Sequence, residues 1–198
     1  MTGVQTCALP ISQIPRLPST PIAHLLEVST STPARSYTQD EILHWMKEAD
    51  PKVQRLFHNS HIERRFLDLP APVAGDIPDE SAQDLIDKHL RGALHMGRQA
   101  ISSVLARRGI PVTNVEFLIC VTSTGFLCPG LSAHLTRSLG MPNSMRRVDI
   151  VGMGCNAAVN ALQAATAMAT ARPGRYGVLV CLEGCSAAYA RNRKMSTA

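Results

Sequence analysis

The chain has 198 residues, of which 45% are hydrophobic and 4% aromatic, and its formal net charge is +5. The basic residues are dispersed: no run of about five or six like charges occurs and no aromatic residues interleave with them, which argues against nucleic-acid binding. No apolar stretch reaches the roughly 18 residues that indicate a membrane-spanning helix. Composition therefore predicts a globular domain that binds neither nucleic acid nor a membrane.

Residues 1–11 differ in character from the rest of the chain. They read Met-Thr-Gly-Val-Gln-Thr-Cys-Ala-Leu-Pro-Ile, which resembles the conceptual translation of a common sequencing adapter with GTG read as the start. They lack the basic region and the unbroken apolar core of a secretion signal. We expect 1–11 to be a non-native segment, 12–21 a linker, and 22–198 an N-terminal domain that stops before its fold is complete.

The cysteines predict the compartment. Apart from Cys7 in the first segment, they are Cys120, Cys128, Cys155, Cys181 and Cys185. Their odd number and dispersed, strand-like positions favour a reducing, cytoplasmic setting over a disulfide framework. No Cys or His pair has zinc-ligand spacing, so we expect no metal.

The first half of the chain predicts a strand followed by helices. Residues 22–28 are apolar enough for a strand. Thr38 and Glu41 fit a capping box, with a helix continuing to about residue 50 and a further turn at 54–58. Apolar residues at helical spacing then predict the longest helix over 81–108, which Gly109 ends.

The second half alternates strands with helices. Continuous apolar runs predict buried strands at 117–121, 148–151 and 178–182. Between them lie a helix at 129–139, with Pro129 in its first turn, and an alanine-rich helix at 155–171. This alternation predicts a layered α/β domain with a mostly parallel sheet.

The segment Gly152-Met-Gly-Cys155 joins a strand to the alanine-rich helix. Its glycines permit a sharp turn, and the first N–H groups of the helix carry partial positive charge. A thiol at that place ionises more readily, and the thiolate is the reactive form. From spacing alone, Cys155 is either a nucleophile or a small buried residue.

Four groups of residues, in this order, resemble the type III polyketide synthases, the chalcone synthase-like enzymes of the thiolase fold. They are Val-Ser-Thr-Ser-Thr-Pro-Ala-Arg-Ser-Tyr-Thr-Gln at 28–39, His-Ile-Glu-Arg-Arg-Phe at 61–66, Val-Thr-Ser-Thr-Gly-Phe-Leu-Cys-Pro-Gly at 121–130, and Gly-Met-Gly-Cys-Asn-Ala at 152–157 with Val-Cys-Leu-Glu-Gly-Cys-Ser at 180–186. The resemblance covers about 22–198, roughly the N-terminal half of a member. Within the family it is strongest to bacterial 3,5-dihydroxyphenylacetyl-CoA synthases.

The resemblance implies an acyltransferase that condenses malonyl-CoA units into an aromatic polyketide. Coenzyme A thioesters, malonyl-CoA and acyl-CoA, would be substrates, no cofactor would be needed, and the full-length protein would be a homodimer. Cys155 would carry the acyl chain as a thioester. Arg64 and Arg65 would meet coenzyme A phosphates, unless they only end a solvated helix.

Five further residues take cavity roles by the same resemblance. Ser123 and Thr124 would line the cavity near the nucleophile, and Cys185 and Ala188 its far side. Cys128 stands where many members have a methionine that projects into the partner subunit's cavity. A cavity role and a structural role remain equally open for Glu183.

The family's catalytic histidine and asparagine belong to its C-terminal half, and none of the seven histidines here matches that position. We therefore expect the chain alone to be inactive, since the thiolate lacks its ion-pair partner and an oxyanion hole. Two other functions stay open: a 3-oxoacyl-carrier-protein synthase III-like condensing enzyme, and a non-catalytic domain that acts by association.

Overall fold

The computed structural model describes residues 22–188. The predictions for 1–11 and 12–21 therefore lie outside the described residues. Within 22–188, no helix has the length and apolar character needed to cross a membrane.

The first half of the described chain contains a small strand pair, two short helices and one long helix. These are β1 (Ser36–Thr38), α1 (Gln39–Met46), α2 (Pro51–His58), β2 (Arg64–Phe66) and α3 (Ala82–Arg108). β1 pairs antiparallel with β2. The predicted capping box of Thr38 and Glu41 is confirmed. Ser81 caps α3 in the same way, and Gly109 ends it in the left-handed conformation.

The second half builds a parallel sheet with its connecting helices. Its elements are β3 (Val115–Thr122), α4 (Leu131–Leu139), β4 (Arg146–Val151), α5 (Ala157–Thr170), β5 (Tyr176–Cys181) and the short α6 (Cys185–Ala188). The strand order is β4-β3-β5, and both neighbours run parallel to β3. The predicted alternation of strands and helices is confirmed, but the predicted burial is wrong for β4, which has no buried residue.

The central strand β3 separates two apolar layers. Leu118 and Cys120 face α3 and α4, where they pack with Ile101, Leu131 and Leu135. The alternate residues of β3 point to the other face of the sheet, where they pack against Ala157 and Ala161 of α5. These residues are Phe117, Ile119 and Val121. Leu118 and Ile119 are both 0% exposed. Helices thus cover both faces of the sheet, which is the layered α/β architecture expected from the sequence.

Three predicted details are wrong. Residues 22–28 form no strand, and Val28 is held instead through its carbonyl, which accepts a hydrogen bond from Arg107. Helix α1 ends at Met46 because Lys47 takes a left-handed conformation, and α2 begins afresh at Pro51. Pro129 precedes α4, whose N-cap is Gly130.

Candidate functional site

The turn between β4 and α5 presents Cys155 to solvent. Gly152 and Gly154 have φ values of 73° and 62°, a left-handed conformation that glycine adopts without strain. A 3₁₀ turn over Gly154–Asn156 then leads into α5. Cys155 lies in this turn and is exposed. The predicted sharp elbow is confirmed, and the small buried alternative for Cys155 is wrong.

A side chain that follows β3 fixes this elbow from outside. The hydroxyl oxygen of Ser123 accepts a hydrogen bond from the backbone N–H of Gly154, with a distance of 2.9 Å. Gly154 immediately precedes Cys155 in the chain, so the position of the thiol depends on the loop after β3. Ser123 thus binds the residue that precedes the candidate nucleophile, while its cavity role stays a prediction.

The carboxylate of Glu183 joins the loops that follow β3 and β5. It accepts hydrogen bonds from the backbone N–H of Ser123, at 2.9 and 3.0 Å, and from that of Thr124, at 3.0 Å. The N–H of Gly184 donates in return to the hydroxyl of Thr124 at 2.8 Å. Of the two roles left open for Glu183, the structural one is confirmed, because its carboxylate holds backbone amides.

These contacts gather three loops at one edge of the sheet. Each loop follows a parallel strand, so all three lie at the carboxyl ends of β3, β4 and β5. Ligand sites of open α/β sheets lie at this edge. The sequence alone predicts the three strands, but the two hydrogen-bonded links appear only in the structure.

The remaining predicted cavity residues lie on the loop after β3 and on α6, which follows β5. Cys128 is exposed and precedes a cis peptide bond to Pro129. Cys185 opens α6 and Ala188 ends it, and both are exposed. Cys185 and Glu183 line a cavity of about 330 Å³ that also reaches α3.

The two predicted phosphate ligands lie on the β1–β2 pair and already have partners within the chain. Arg64 donates to the hydroxyl and the carbonyl oxygen of Ser36, both at 2.9 Å. Arg65 donates to the side-chain carbonyl of Gln39 at 3.0 Å, and its guanidinium lies 5.6 Å from the centre of the Phe57 ring. They belong to β2, so the alternative that they end a helix is wrong.

Of the five free cysteines among the described residues, Cys120 alone is buried, and the other four are exposed. Cys120, inside β3, has its thiol pKa raised strongly by burial, and the charge of Asp149 adds to the rise. Cys181, at the end of β5, is exposed rather than buried as predicted, but partial desolvation still raises the pKa of its thiol, with the Glu183 carboxylate as a second cause. Because the thiolate is the nucleophile, these two thiols are poor candidates for acylation.

Sequence reasoning missed one residue of this region, His89 on α3. Its side chain is 3% exposed, and neither ring nitrogen has a hydrogen-bond partner among the described residues. Burial lowers the pKa of its imidazole, whereas the charge of Glu183 opposes that shift. A signal was present: His89 starts a row of buried residues four apart, which continues with Ala93, Gly97, Ile101 and Leu105.

The amino-acid sequence of this chain matches a known family. The N-terminal domain of the chalcone and stilbene synthases matches residues 18–195, and the chain belongs to this family. The resemblance found in the sequence is therefore confirmed.

Two characterised relatives show which members of the family this chain is similar to. The chain is 46% identical over 181 residues to the 3,5-dihydroxyphenylacetyl-CoA synthase of Amycolatopsis balhimycina, covering 90% of this chain and 48% of that protein. It is 31% identical over 186 residues to the alpha-pyrone synthesis polyketide synthase-like Pks18 of Mycobacterium tuberculosis, covering 89% and 47%. The chain thus spans about half the length of the curated relatives it matches.

Solved structures agree with the layered fold. PKS-I from the brown alga Ectocarpus siliculosus superposes with a TM-score of 0.72 at 28% identity, covering 81% of this chain and 47% of that one. The 1,3,6,8-tetrahydroxynaphthalene synthase of Streptomyces coelicolor gives 0.73 at 25% identity, covering 83% and 48%. The latter is described as a bacterial type III polyketide synthase.

Proposed function

We propose that this chain supplies the nucleophile of a type III polyketide synthase that condenses malonyl-CoA units into an aromatic polyketide. The single observation that carries the proposal is the exposed Cys155 in an elbow held by Ser123. The 46% identity to a 3,5-dihydroxyphenylacetyl-CoA synthase favours a product of that class.

The proposed chemistry has two steps at Cys155. Its thiolate attacks the carbonyl of an acyl-CoA; the new C–S bond forms while the bond to the coenzyme A sulfur breaks, and coenzyme A leaves and takes up a proton. Malonyl-CoA then loses CO₂, and the remaining carbanion attacks the Cys155 thioester. That attack forms a C–C bond and releases the thiolate.

The residues around the thiol would shape the substrate cavity. Ser123 and Thr124 would form the wall nearest Cys155. Cys185 and Ala188 would form the wall on the β5 side. Glu183 would keep these walls together through the amides it holds. In this proposal a histidine and an asparagine from the C-terminal half of the family's fold would assist the thiol.

Arg64 and Arg65 would attract the phosphates of coenzyme A. A guanidinium has five N–H donors, and Arg64 uses two of its nitrogens on Ser36. Further N–H groups of the same fork therefore remain for a phosphate. Their contacts with Ser36 and Gln39 fix the orientation of both side chains, so less rotamer freedom is lost when a phosphate binds.

We also propose that the complete protein is a homodimer. Helix α5 exposes Val159 to 68% and Leu162 to 53%, and the loop after β3 exposes Phe126 to 77%. Exposed apolar surface of this kind indicates an interaction site.

Five free cysteines among the described residues fit a reducing compartment, so we place the protein in the cytoplasm.

Acyl transfer to the thiol is the direct test. The chain is incubated with malonyl-CoA or acetyl-CoA, with and without a co-expressed C-terminal half from the Amycolatopsis balhimycina relative, and peptides are mapped by mass. We expect three results only when both halves are present: acylated Cys155, free coenzyme A and CO₂. All three should be lost in Cys155→Ser. Cys181→Ser, which changes a thiol with no role in the proposed cavity, is the matched control and keeps them. Acylation confined to Cys120 or Cys181 contradicts the proposal.

A further inference from the structure

A buried imidazole lies beneath the loops that hold the candidate nucleophile. His89 projects from α3 and is 3% exposed, and both of its ring nitrogens lack a partner among the described residues. It lines the cavity that Glu183, Gly184 and Cys185 also line. Buried polar groups are rarely left without a hydrogen-bond partner, because an unpaired one is energetically costly. The unpaired imidazole of His89 therefore calls for an explanation.

Two glycines let the site loops rest directly on this ring. A Cβ added at Gly125 would lie 2.3 Å from Cδ2 and 2.6 Å from Nε2 of His89. A Cβ added at Gly184 would lie 3.3 Å from its Nδ1. Gly125 follows Thr124, and Gly184 follows Glu183. The ring therefore contacts both of the loops that the Glu183 carboxylate joins.

The protonation state of the His89 ring is coupled electrostatically to the carboxylate of Glu183. Glu183 raises the pKa of His89, and burial lowers it further than Glu183 raises it. The neutral imidazole leaves the carboxylate on the amides of Ser123 and Thr124. A protonated ring would be a buried cation close to that carboxylate, and it would compete with the amides for it.

We propose that His89 is a positioning residue whose neutral imidazole keeps Glu183 on the amides of Ser123 and Thr124, and whose protonation draws Glu183 away and loosens the elbow at Cys155. The path runs from the ring to Glu183, from Glu183 to the backbone of Ser123, and from the Ser123 hydroxyl to Gly154. The inference rests on the proposed function in one respect: the path affects catalysis only if Cys155 is the nucleophile.

Other titratable groups share the cavity with His89. They come from α3 itself, from the chain after β2 and from the chain after β5: Lys88, Arg91 and His95, then Asp68, then Glu183 and Cys185. Lys88 is paired with Glu80. The backbone N–H of Asp68 donates to the hydroxyl of Ser186. Glu183 is the carboxylate that holds the site amides, so it alone in this set transmits the charge of the ring to the elbow.

The test follows the ring and the amides together by NMR, without any turnover. The 198-residue chain, labelled in its imidazoles and backbone amides, is titrated from neutral to acidic pH. We expect the amide protons of Ser123, Thr124 and Gly154 to shift upfield with the midpoint at which the His89 ring gains its proton. An imidazole that stays neutral until acid unfolding, or that titrates without moving these amides, overturns the proposal.

Three variants sharpen the result. His89→Gln should abolish the shared midpoint in the three amides, whereas His95→Gln, on the exposed side of the same helix, should keep it. Glu183→Gln should lower the midpoint of His89, because the charge that raises it is gone. An unchanged midpoint in Glu183→Gln contradicts the proposal even if His89→Gln fails to fold. Failure of acyl transfer would leave all of these results unaffected, so the two proposals fail separately.

Discussion

The hydroxyl oxygen of Ser123 lies 2.9 Å from the backbone nitrogen of Gly154 and accepts a hydrogen bond from its N–H. This contact connects the end of β3 to the residue before Cys155. The backbone of Ser123 is itself bound by the carboxylate of Glu183. Three strands of the sheet are thereby coupled at the candidate nucleophile through a single serine.

Replacing Ser123 by alanine should loosen the elbow without unfolding the domain. One hydrogen bond at an exposed site is lost, so the free energy of unfolding should fall by about 0.5–1.5 kcal/mol. We expect the acylation rate of Cys155 to fall by about tenfold or more, as misplacement of a reacting group does. Ser138→Ala on α4, which removes a hydroxyl bonded to Leu135, is the control. An equal loss of acylation in both variants would show that the contact with Gly154 is unimportant.

Gly125, which rests on the His89 ring, and Gly92, which lies within α3, should respond in opposite ways to alanine. Gly125→Ala places a Cβ 2.3 Å from the ring, and overpacking of this kind costs about 1–3 kcal/mol. At Gly92, within α3, a Cβ meets nothing closer than Met96 at 3.9 Å, so alanine should stabilise the helix by about 0.5–1 kcal/mol. Thermal or denaturant unfolding measures both changes.

The double variant Gly125→Ala with His89→Ala identifies the cause of the loss. Removing the ring frees the space that the new methyl group needs. The double variant should therefore be more stable than the sum of the two single changes predicts, since contacting residues are not additive. Strict additivity would show that the ring and the glycine do not press on each other.

The sheet and its helices were predictable because local patterns specify them. The apolar run around Ile119 and the capping residue Thr38 give both the type and the position of their elements. The strand predicted at 22–28 is wrong because an apolar run gives a strand only where a partner strand is present. Among the described residues, that run has no such partner.

The candidate site was predictable only in part. Cys155 stands out because glycines and a helix start surround it in the sequence. Its supports do not, since Ser123, Glu183 and His89 lie far apart along the chain and meet only at the sheet edge. A histidine on a buried helix face is also ambiguous by itself, because packing and function give the same pattern.

The buried thiol of Cys120 should make stability fall at alkaline pH. Its pKa is raised above the ordinary value of 9.0 by burial, so the unfolded chain ionises this thiol before the native one does. The contribution is fully present below pH 9.0 and is lost as pH rises above it, at up to about 1.4 kcal/mol per pH unit. Cys120→Ala should therefore show a shallower alkaline decline than the parent. Cys185→Ala, which changes an exposed thiol, should show the parent slope.

Deleting residues 1–11 should leave folding unchanged. The segment resembles a translated sequencing adapter, and the family match begins only at residue 18. We expect chains 1–198 and 12–198 to have the same unfolding midpoint and the same circular dichroism spectrum. A clear loss of stability in 12–198 would show that the segment belongs to the domain.

A charge on the exposed face of α5 should break the proposed homodimer. Leu162 is 53% exposed and would be buried against a second copy, where an unpaired carboxylate is strongly unfavourable. Leu162→Glu, in the chain combined with its C-terminal half, should shift the assembly from dimer to monomer in sedimentation velocity. Gln163→Glu adds the same charge at the neighbouring exposed position of the helix and should shift it less. An unchanged dimer in Leu162→Glu would place the interface elsewhere.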